Sequence, residues 1–500
     1  MRELICILAA ALVAAAPASP PAPPAGTTPD AVTEHTIALG GQTYSYTARA
    51  GTIALENDKG ETTCRMFYTA YTADGADPRT RPVTFLYNGG PGSSTIWLRM
   101  GSFGPVRVSV GDGAPTRNAP YNLVPNQYSL LDRTDLVFVD APDTGFSRIA
   151  EAGKPSDFFG VDPDVRAFGQ FVSRYITTFG RWNSPKFLFG ESYGTPRSAM
   201  LVNYLQKQGI GINGVVLLSA ILDFSLDWDV NFTPTAIGGG DWAFPLYLPT
   251  EAATAWYHHA LPGSPSSLQA LLQQVEGFAM HEYLNALAQG SSLSPSAYDD
   301  VVAKLHQYTG LSEHYIRLSN LRVPYWRYET ELFRENGLTL GRLDARYTSY
   351  NLDRIWDRPD FDPTDAAIDA AFVSTGNYYV RQVLGYRTTL IYRPEINVFQ
   401  KWDWEHNGNL PTNTAQDLAS AMAYDPNLQV FVGSGYYDFA TPFWATVYSL
   451  NHLMLPPQLQ RNIAYGFYES GHMVYLHPPA LAQFHADLEA WYAHALQAGR

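Results

Sequence analysis

A strand that runs straight into a glycine-flanked turn constrains this chain more than any other feature of its sequence. Phe187-Leu188-Phe189 is a short apolar run of the kind that forms a buried strand, and Gly190-Glu191-Ser192-Tyr193-Gly194 follows with nothing between. The glycines permit a sharp strand-to-helix turn that projects Ser192 beyond the sheet and leaves the Tyr193 amide free to face an oxyanion. Pro196 to Gln208 carries the helical pattern that should come next. Such a turn works only at the end of a sheet strand, so the rest of the chain has to supply the sheet.

It does so in short apolar runs bounded by turn residues: Val83 to Tyr87, Leu136 to Val139, Val215 to Leu218, Leu428 to Val432 and Ile463 to Tyr468. Runs of this kind read as buried parallel strands. Helical patterns lie between them, notably Asp162 to Thr178, with Asp162-Pro163 as cap and first-turn pair. Strands alternating with helices predict an α/β sheet with right-handed crossovers. Thr36 to Leu55 alternates about Gly40-Gly41 as a β-hairpin does. After Leu222 the periodicity turns mainly helical, and the sheet pattern returns only at Leu428. The expected fold is of the α/β-hydrolase type, with a central, mostly parallel sheet flanked by helices. Its core occupies residues 33–222 and 426–500, and a large, mainly helical cap is inserted as residues 223–425 over the crevice at the strand ends.

The N-terminus reads as an address. Leu4 to Ala16 is apolar and Ala16-Pro17-Ala18 is the small-x-small pattern a signal peptidase accepts, so residues 1–18 are expected to be a signal peptide and 19–32, dense in Pro and Ala, a flexible leader. The apolar stretch is too short to span a bilayer, and no later segment offers about 18 uninterrupted apolar residues. The expectation is an exported protein, periplasmic or extracellular, with no integral membrane segment in the mature chain. Cys6 falls in the signal, which leaves Cys64 alone, without an intramolecular disulfide and most simply a buried small hydrophobe. A formal net charge of −14 with no Lys/Arg run excludes nucleic acid as a partner and leaves small molecules or peptides. Nothing in the sequence specifies an oligomeric state.

A serine hydroxyl is a poor nucleophile until a base takes its proton, so a histidine and an orienting carboxylate must come later in the chain. The loop after Leu428 to Val432 carries Asp438, and the loop after Ile463 to Tyr468 carries His472. Both leave the sheet on the side where Ser192 emerges, which selects Ser192, Asp438 and His472 as the catalytic triad over the competing bases His452 and His477. The loop Asn88-Gly89-Gly90-Pro91-Gly92 follows the strand Val83 to Tyr87, where a second oxyanion donor is needed. No His-Glu-x-x-His occurs, and the adjacent His258-His259 cannot place both rings on one helix face, so neither a metal nor a cofactor is expected.

These segments together resemble the serine carboxypeptidase family. Asn88-Gly89-Gly90-Pro91-Gly92-Ser93-Ser94, Asp140-Ala141-Pro142-Asp143-Thr144-Gly145-Phe146-Ser147, Gly190-Glu191-Ser192-Tyr193-Gly194, Ser434-Gly435-x-x-Asp438-x-x-x-Pro442 and Gly471-His472 match its motifs in order across most of the mature chain. The form is a bacterial-type one without disulfides. The resemblance implies release of C-terminal residues from peptides through an acyl-enzyme on Ser192, with the amides of Gly90 and Tyr193 as oxyanion hole. It also implies that Asn88 and Glu191 hydrogen-bond the substrate's terminal carboxylate. A glutamate binds a carboxylate only when the pair shares a proton, which favours acidic conditions.

The chain departs from the family in three places. The glutamate expected a little after the Gly-Gly-Pro-Gly loop is absent from Leu98-Arg99-Met100-Gly101-Ser102-Phe103-Gly104, where Arg99 is a candidate substitute that would bind a carboxylate without low pH. Ser93 stands where the family has a cysteine, and Met473 where an acid often follows the histidine. Two other readings use the same scaffold: an esterase or acyltransferase with the same triad, and a non-catalytic binding protein. The preferred C-terminal residue is not readable, because the resemblance fades in the cap.

Overall fold

The computed structural model describes residues 28–226 and 240–498. The expected signal peptide and most of the leader lie outside the described residues. Nine strands form the main path of a ten-stranded sheet: β1 (Ala31–Leu39), β2 (Gln42–Glu56), β3 (Thr62–Ala73), β4 (Val83–Tyr87), β5 (Asp135–Val139), β6 (Lys186–Glu191), β7 (Gly214–Leu218), β8 (Gln429–Gly435) and β9 (Ile463–Tyr468). Their spatial order is β1-β2-β3-β5-β4-β6-β7-β8-β9. β1, β2, β3 and β5 pair antiparallel, and every pair from β5 onward is parallel. The β1–β2 turn is Gly40-Gly41, with φ of +55° and +81°. Only glycine holds two consecutive left-handed residues without strain, and that backbone matches the twist of the strands it joins.

β4 to β8 are buried at every position. Their central residues are mostly apolar because helices cover both faces of the sheet. On one face lie α1 (Val161–Thr178), α2 (Gly194–Lys207) and α4 (Ala415–Tyr424), which bring Phe168, Phe171, Leu201 and Leu418 against β4, β6 and β7. On the other lie α3 (Pro363–Tyr378) and α5 (Pro478–Ala498), with Phe372, Phe484 and Trp491. α1 begins at Val161 with Gly160 as its cap, so Asp162 sits inside the first turn rather than capping it. The Val161 amide is satisfied by Asp403 O at 2.9 Å.

Two of these five helices, α3 and α4, come from the stretch expected as cap, so part of that stretch builds the sheet's own layers. Residues 243–345 of that stretch have an apolar cluster of their own, with Leu271, Val302 and Tyr328, which reaches the strand ends through Tyr437, Phe439 and Phe443. Cys64 is fully buried in β3, and burial pushes its thiol well above the usual range. Among the described residues no helix is long and apolar enough to cross a membrane.

Candidate active site

Ser192 follows the last residue of β6 with φ of +59°, a left-handed conformation that side chains other than glycine rarely adopt. The flanking glycines are needed for a plain steric reason. A Cβ on Gly190 would lie 2.0 Å from Gly194 O, and one on Gly194 would lie 2.8 Å from Tyr87 O. The turn is pinned to the next strand by Ser192 N, which donates to Leu218 O at 3.0 Å. α2 then begins at Gly194.

Two strands further along the sheet, the β8 loop presents Asp438 and the β9 loop presents His472. The His472 ring meets Asp438 Oδ2 through Nδ1 at 2.8 Å. Asp438 is fully buried and held by three donors besides: Ala440 N at 2.8 Å and Thr441 N at 3.0 Å on Oδ1, and Thr441 Oγ1 at 2.7 Å on Oδ2. A carboxylate so held keeps the imidazole in one orientation and one tautomer. Burial disfavours a charge on His472, and the adjoining Asp438 outweighs it, so the ring's pKa lies above the usual imidazole value. His452 and His477 lie elsewhere: His452 Nδ1 meets Tyr448 O, and His477 Nδ1 meets Asp112.

Ser192 and His472 line one cavity of about 360 Å³ together with Asn88, Gly89, Gly90 and Glu191. Among the described residues no hydrogen bond joins the Ser192 hydroxyl to the ring, an openness common in catalytic pairs before substrate binds. A smaller cavity of about 80 Å³ adjoins it and is lined by Gly90, Ser192 and Tyr193. The Gly89 loop lies hard against the turn, since a Cβ on Gly89 would sit 2.3 Å from Tyr193 N. Glu191 is buried beneath the larger cavity. Its Oε1 accepts from Asn88 Nδ2 at 2.7 Å and Tyr475 OH at 3.2 Å, while Oε2 has no partner. Burial pushes its carboxyl up to about 7, against the pull of His472 and these donors.

A nucleophile turn, a buried acid–histidine pair and a half-satisfied glutamic acid meeting at one sheet edge invite comparison with known proteins. The family described as serine carboxypeptidase matches residues 41–475. This chain belongs to the serine carboxypeptidase family. Curated relatives include serine carboxypeptidase-like 45 of Arabidopsis thaliana, 26% identical over 178 residues, with 33% of this chain and 35% of the relative covered. Carboxypeptidase Y homolog A of Pyricularia oryzae is 25% identical over 218 residues, with 43% and 35% covered. The chain thus spans about a third of the length of these relatives. Among solved structures, proline iminopeptidase of Mycobacterium smegmatis aligns with 90% of this chain and 100% of its own, at a TM-score of 0.38 and 13% identity. A carboxyl esterase of Bacillus coagulans aligns with 89% and 99%, at 0.38 and 11%.

The departures from the serine carboxypeptidase motifs acquire a structural meaning. Arg99 does not reach the cavity, which corrects its expected role as a carboxylate ligand. It is buried 5.8 Å from the Tyr392 ring centre, and although burial disfavours its charge, Tyr392 and Asp140 outweigh that and raise its pKa. Its helical phase over Ile96–Gly101 turns it inward, a direction that sequence spacing alone does not reveal. Met473 is buried and lines the cavity. Ser93 Oγ accepts from Trp97 Nε1 at 3.0 Å, so the position is used without a disulfide.

Other residues at the site escaped sequence reasoning. Arg342 and Leu343 line both cavities, and the loop that carries them is bound to the loops that carry Asp438 and His472. His472 N donates to Leu343 O at 2.6 Å and Phe439 N to Arg342 O at 3.0 Å. Asp365 and Glu395 also line the larger cavity. All four lie in residues 223–425, where no motif marks them.

Proposed function

We propose that this protein is a serine carboxypeptidase that releases C-terminal residues from peptides, with Ser192 as nucleophile, His472 as base and Asp438 as the group that orients it. The observation that carries the reading is the buried Glu191 on the wall of the cavity that holds Ser192, with one carboxyl oxygen unpartnered and a pKa near neutrality. A protonated carboxyl there donates a hydrogen bond to a substrate carboxylate, and Asn88 supports it. That selects chain ends over internal peptide bonds.

The chemistry follows from the placement. Ser192 Oγ attacks the last peptide carbonyl while its proton passes to His472 Nε2, and the Asp438 carboxylate stabilises the imidazolium. The Gly90 and Tyr193 amides take the charge on the carbonyl oxygen. The C–N bond breaks as His472 returns the proton to the leaving amine, which departs as a free amino acid. Water then gives its proton to His472 and attacks the acyl carbon, and the acyl–oxygen bond breaks as His472 returns that proton to Ser192 Oγ and the shortened peptide leaves. Within residues 223–425, the part with its own apolar cluster around Leu271, Val302 and Tyr328 is proposed as the cap over this crevice. Export to the periplasm or outside the cell completes the proposal, supported by the apolar run Leu4 to Ala16 and Ala16-Pro17-Ala18.

Blocked dipeptides with a free or an amidated C-terminus test the reading. Turnover confined to the free acids is the expected result. Equal turnover of both defeats carboxypeptidase specificity and favours an esterase or acyltransferase on the same triad.

A further inference from the structure

The larger cavity is lined by several acids besides Glu191. Asp362, Asp365 and Glu395 line it, with Arg342 as the cation among them. Asp362 is already committed, because it caps α3 by accepting from Thr364 N at 2.8 Å and also accepts from Leu343 N at 2.9 Å. Asp365, in the first turn of α3, and Glu395, whose backbone bridges to Ser93 and whose carboxyl also meets Ser93, complete the wall. The smaller cavity across Ser192 is aromatic, with Phe224, Phe399 and Trp404, and suits the acyl side of the scissile bond. The acidic wall therefore meets the leaving residue.

We infer that Asp365 and Glu395 select a basic side chain on the residue released, so that the preferred substrates are peptides ending in lysine or arginine. The inference rests on the carboxypeptidase reading above and adds the substrate class.

Two independent observations point to a ligand here. The first is the Glu191 oxygen, on a side chain only 1% exposed, which has no partner within the protein and stands on the wall of this cavity. On the carboxypeptidase reading it marks where the α-carboxylate lies, and the acids line the same cavity within reach of the released residue's side chain. The second is the crowding of like charge. Asp365 is pushed up to about 8 by burial and by repulsion from Asp362, Asp369 and Glu395, with Arg342 opposing. Asp369 rises to about 7, through burial and then through Glu395 and Asp362. A bound cation relieves that repulsion and restores the ionised form. Among the described residues these acids do not bring three ligand atoms within 4.8 Å of one another, as a metal ion would require.

The test compares kcat/KM at neutral pH for blocked Phe-Lys, Phe-Arg and Phe-Leu, all with free C-termini, in the full chain and in Asp365→Asn and Glu395→Gln. The native protein should favour the basic peptides over Phe-Leu by about tenfold, a ratio of the size a close charge pair supports. Each variant should lower that ratio. Glu395 is exposed on a loop, so its variant reports even if a change in the first turn of α3 disturbs folding, which thermal unfolding checks. Equal turnover of Phe-Lys and Phe-Leu, or a ratio unchanged in both variants, overturns the inference. If no free-acid peptide is turned over but an ester is, the peptidase reading has failed by itself. Inhibition of ester turnover by free arginine against free leucine then reads the wall: a preference for arginine that both variants weaken supports the acidic subsite, and no preference overturns it.

Discussion

Asn88 donates its side-chain amide to Glu191 Oε1 at 2.7 Å, joining the ends of β4 and β6 across 103 residues of sequence. The same asparagine accepts through its Oδ1 from Leu98 N at 3.0 Å, and its carbonyl accepts from Arg197 Nη1 at 2.8 Å. Arg197 in turn grips Asp164 of α1, with both side chains almost wholly buried. The Asn88–Glu191 pair is thus tied to Leu98, to α1 and to α2, and Glu191 Oε2 is left without a partner within the protein.

Removing the nucleophile or the orienting acid should nearly abolish turnover. Ser192→Ala is expected to eliminate labelling by a fluorophosphonate probe and to lower kcat by at least about 10⁴-fold. Asp438→Asn should cost about 10⁴-fold, because an amide at this place favours the wrong imidazole tautomer. Labelling that persists in Ser192→Ala would place the reactive serine elsewhere.

Glu191 predicts a pH profile that depends on the substrate's end group. Its carboxyl, raised to about 7 chiefly by burial, is neutral below that pH and ionised above it. Above about 7 it repels a substrate carboxylate, so KM for free-acid peptides should climb through that range. Esters and amides lack the charge and should show no such limb. The acid limb reports His472, whose raised pKa means that the base becomes protonated, and activity falls, at a higher pH than an ordinary imidazole would set. Glu191→Gln cannot ionise and should remove the alkaline rise in KM. An unchanged rise in that variant would assign the limb to another group.

Gly89 tests the oxyanion loop by sterics alone. A Cβ there would meet Tyr193 N at 2.3 Å and Gly194 N at 2.8 Å, both backbone atoms with little room to yield. Gly89→Ala should shift the Tyr193 amide and lower kcat by about 10²-fold or more, the scale of losing one oxyanion donor. Steady-state kinetics on an ester substrate would show it, and wild-type kcat would count against this placement of the loop.

The Arg197–Asp164 pair predicts a stability effect. Arg197→Met leaves Asp164 buried without its counter-ion, which should destabilise the fold by about 3–5 kcal/mol. Replacing both, as Arg197→Met with Asp164→Leu, should recover much of that loss, because no lone charge then remains in the interior. Denaturant unfolding of the three proteins measures the difference.

Much of this was legible in the residues. Val83 to Tyr87 and Ile463 to Tyr468 are strands over the bounds that their apolar runs suggest; the first is covered on both faces and so needs continuous apolar side chains, while the second closes the sheet and leaves Ala464 and Tyr465 exposed. Gly190 and Gly194 announce the turn because no other residue fits the distances there. Local backbone sterics and burial periodicity act over a few residues, and a linear chain displays them directly. What only the tertiary structure decided acts between residues far apart. Arg99, placed by sequence beside the substrate, points into the interior, while Arg342, Asp365 and Glu395 from unmarked stretches line the cavity. A site's charge pattern depends on which side chains share a few ångströms of low-dielectric space, and that is settled only when separate segments pack together.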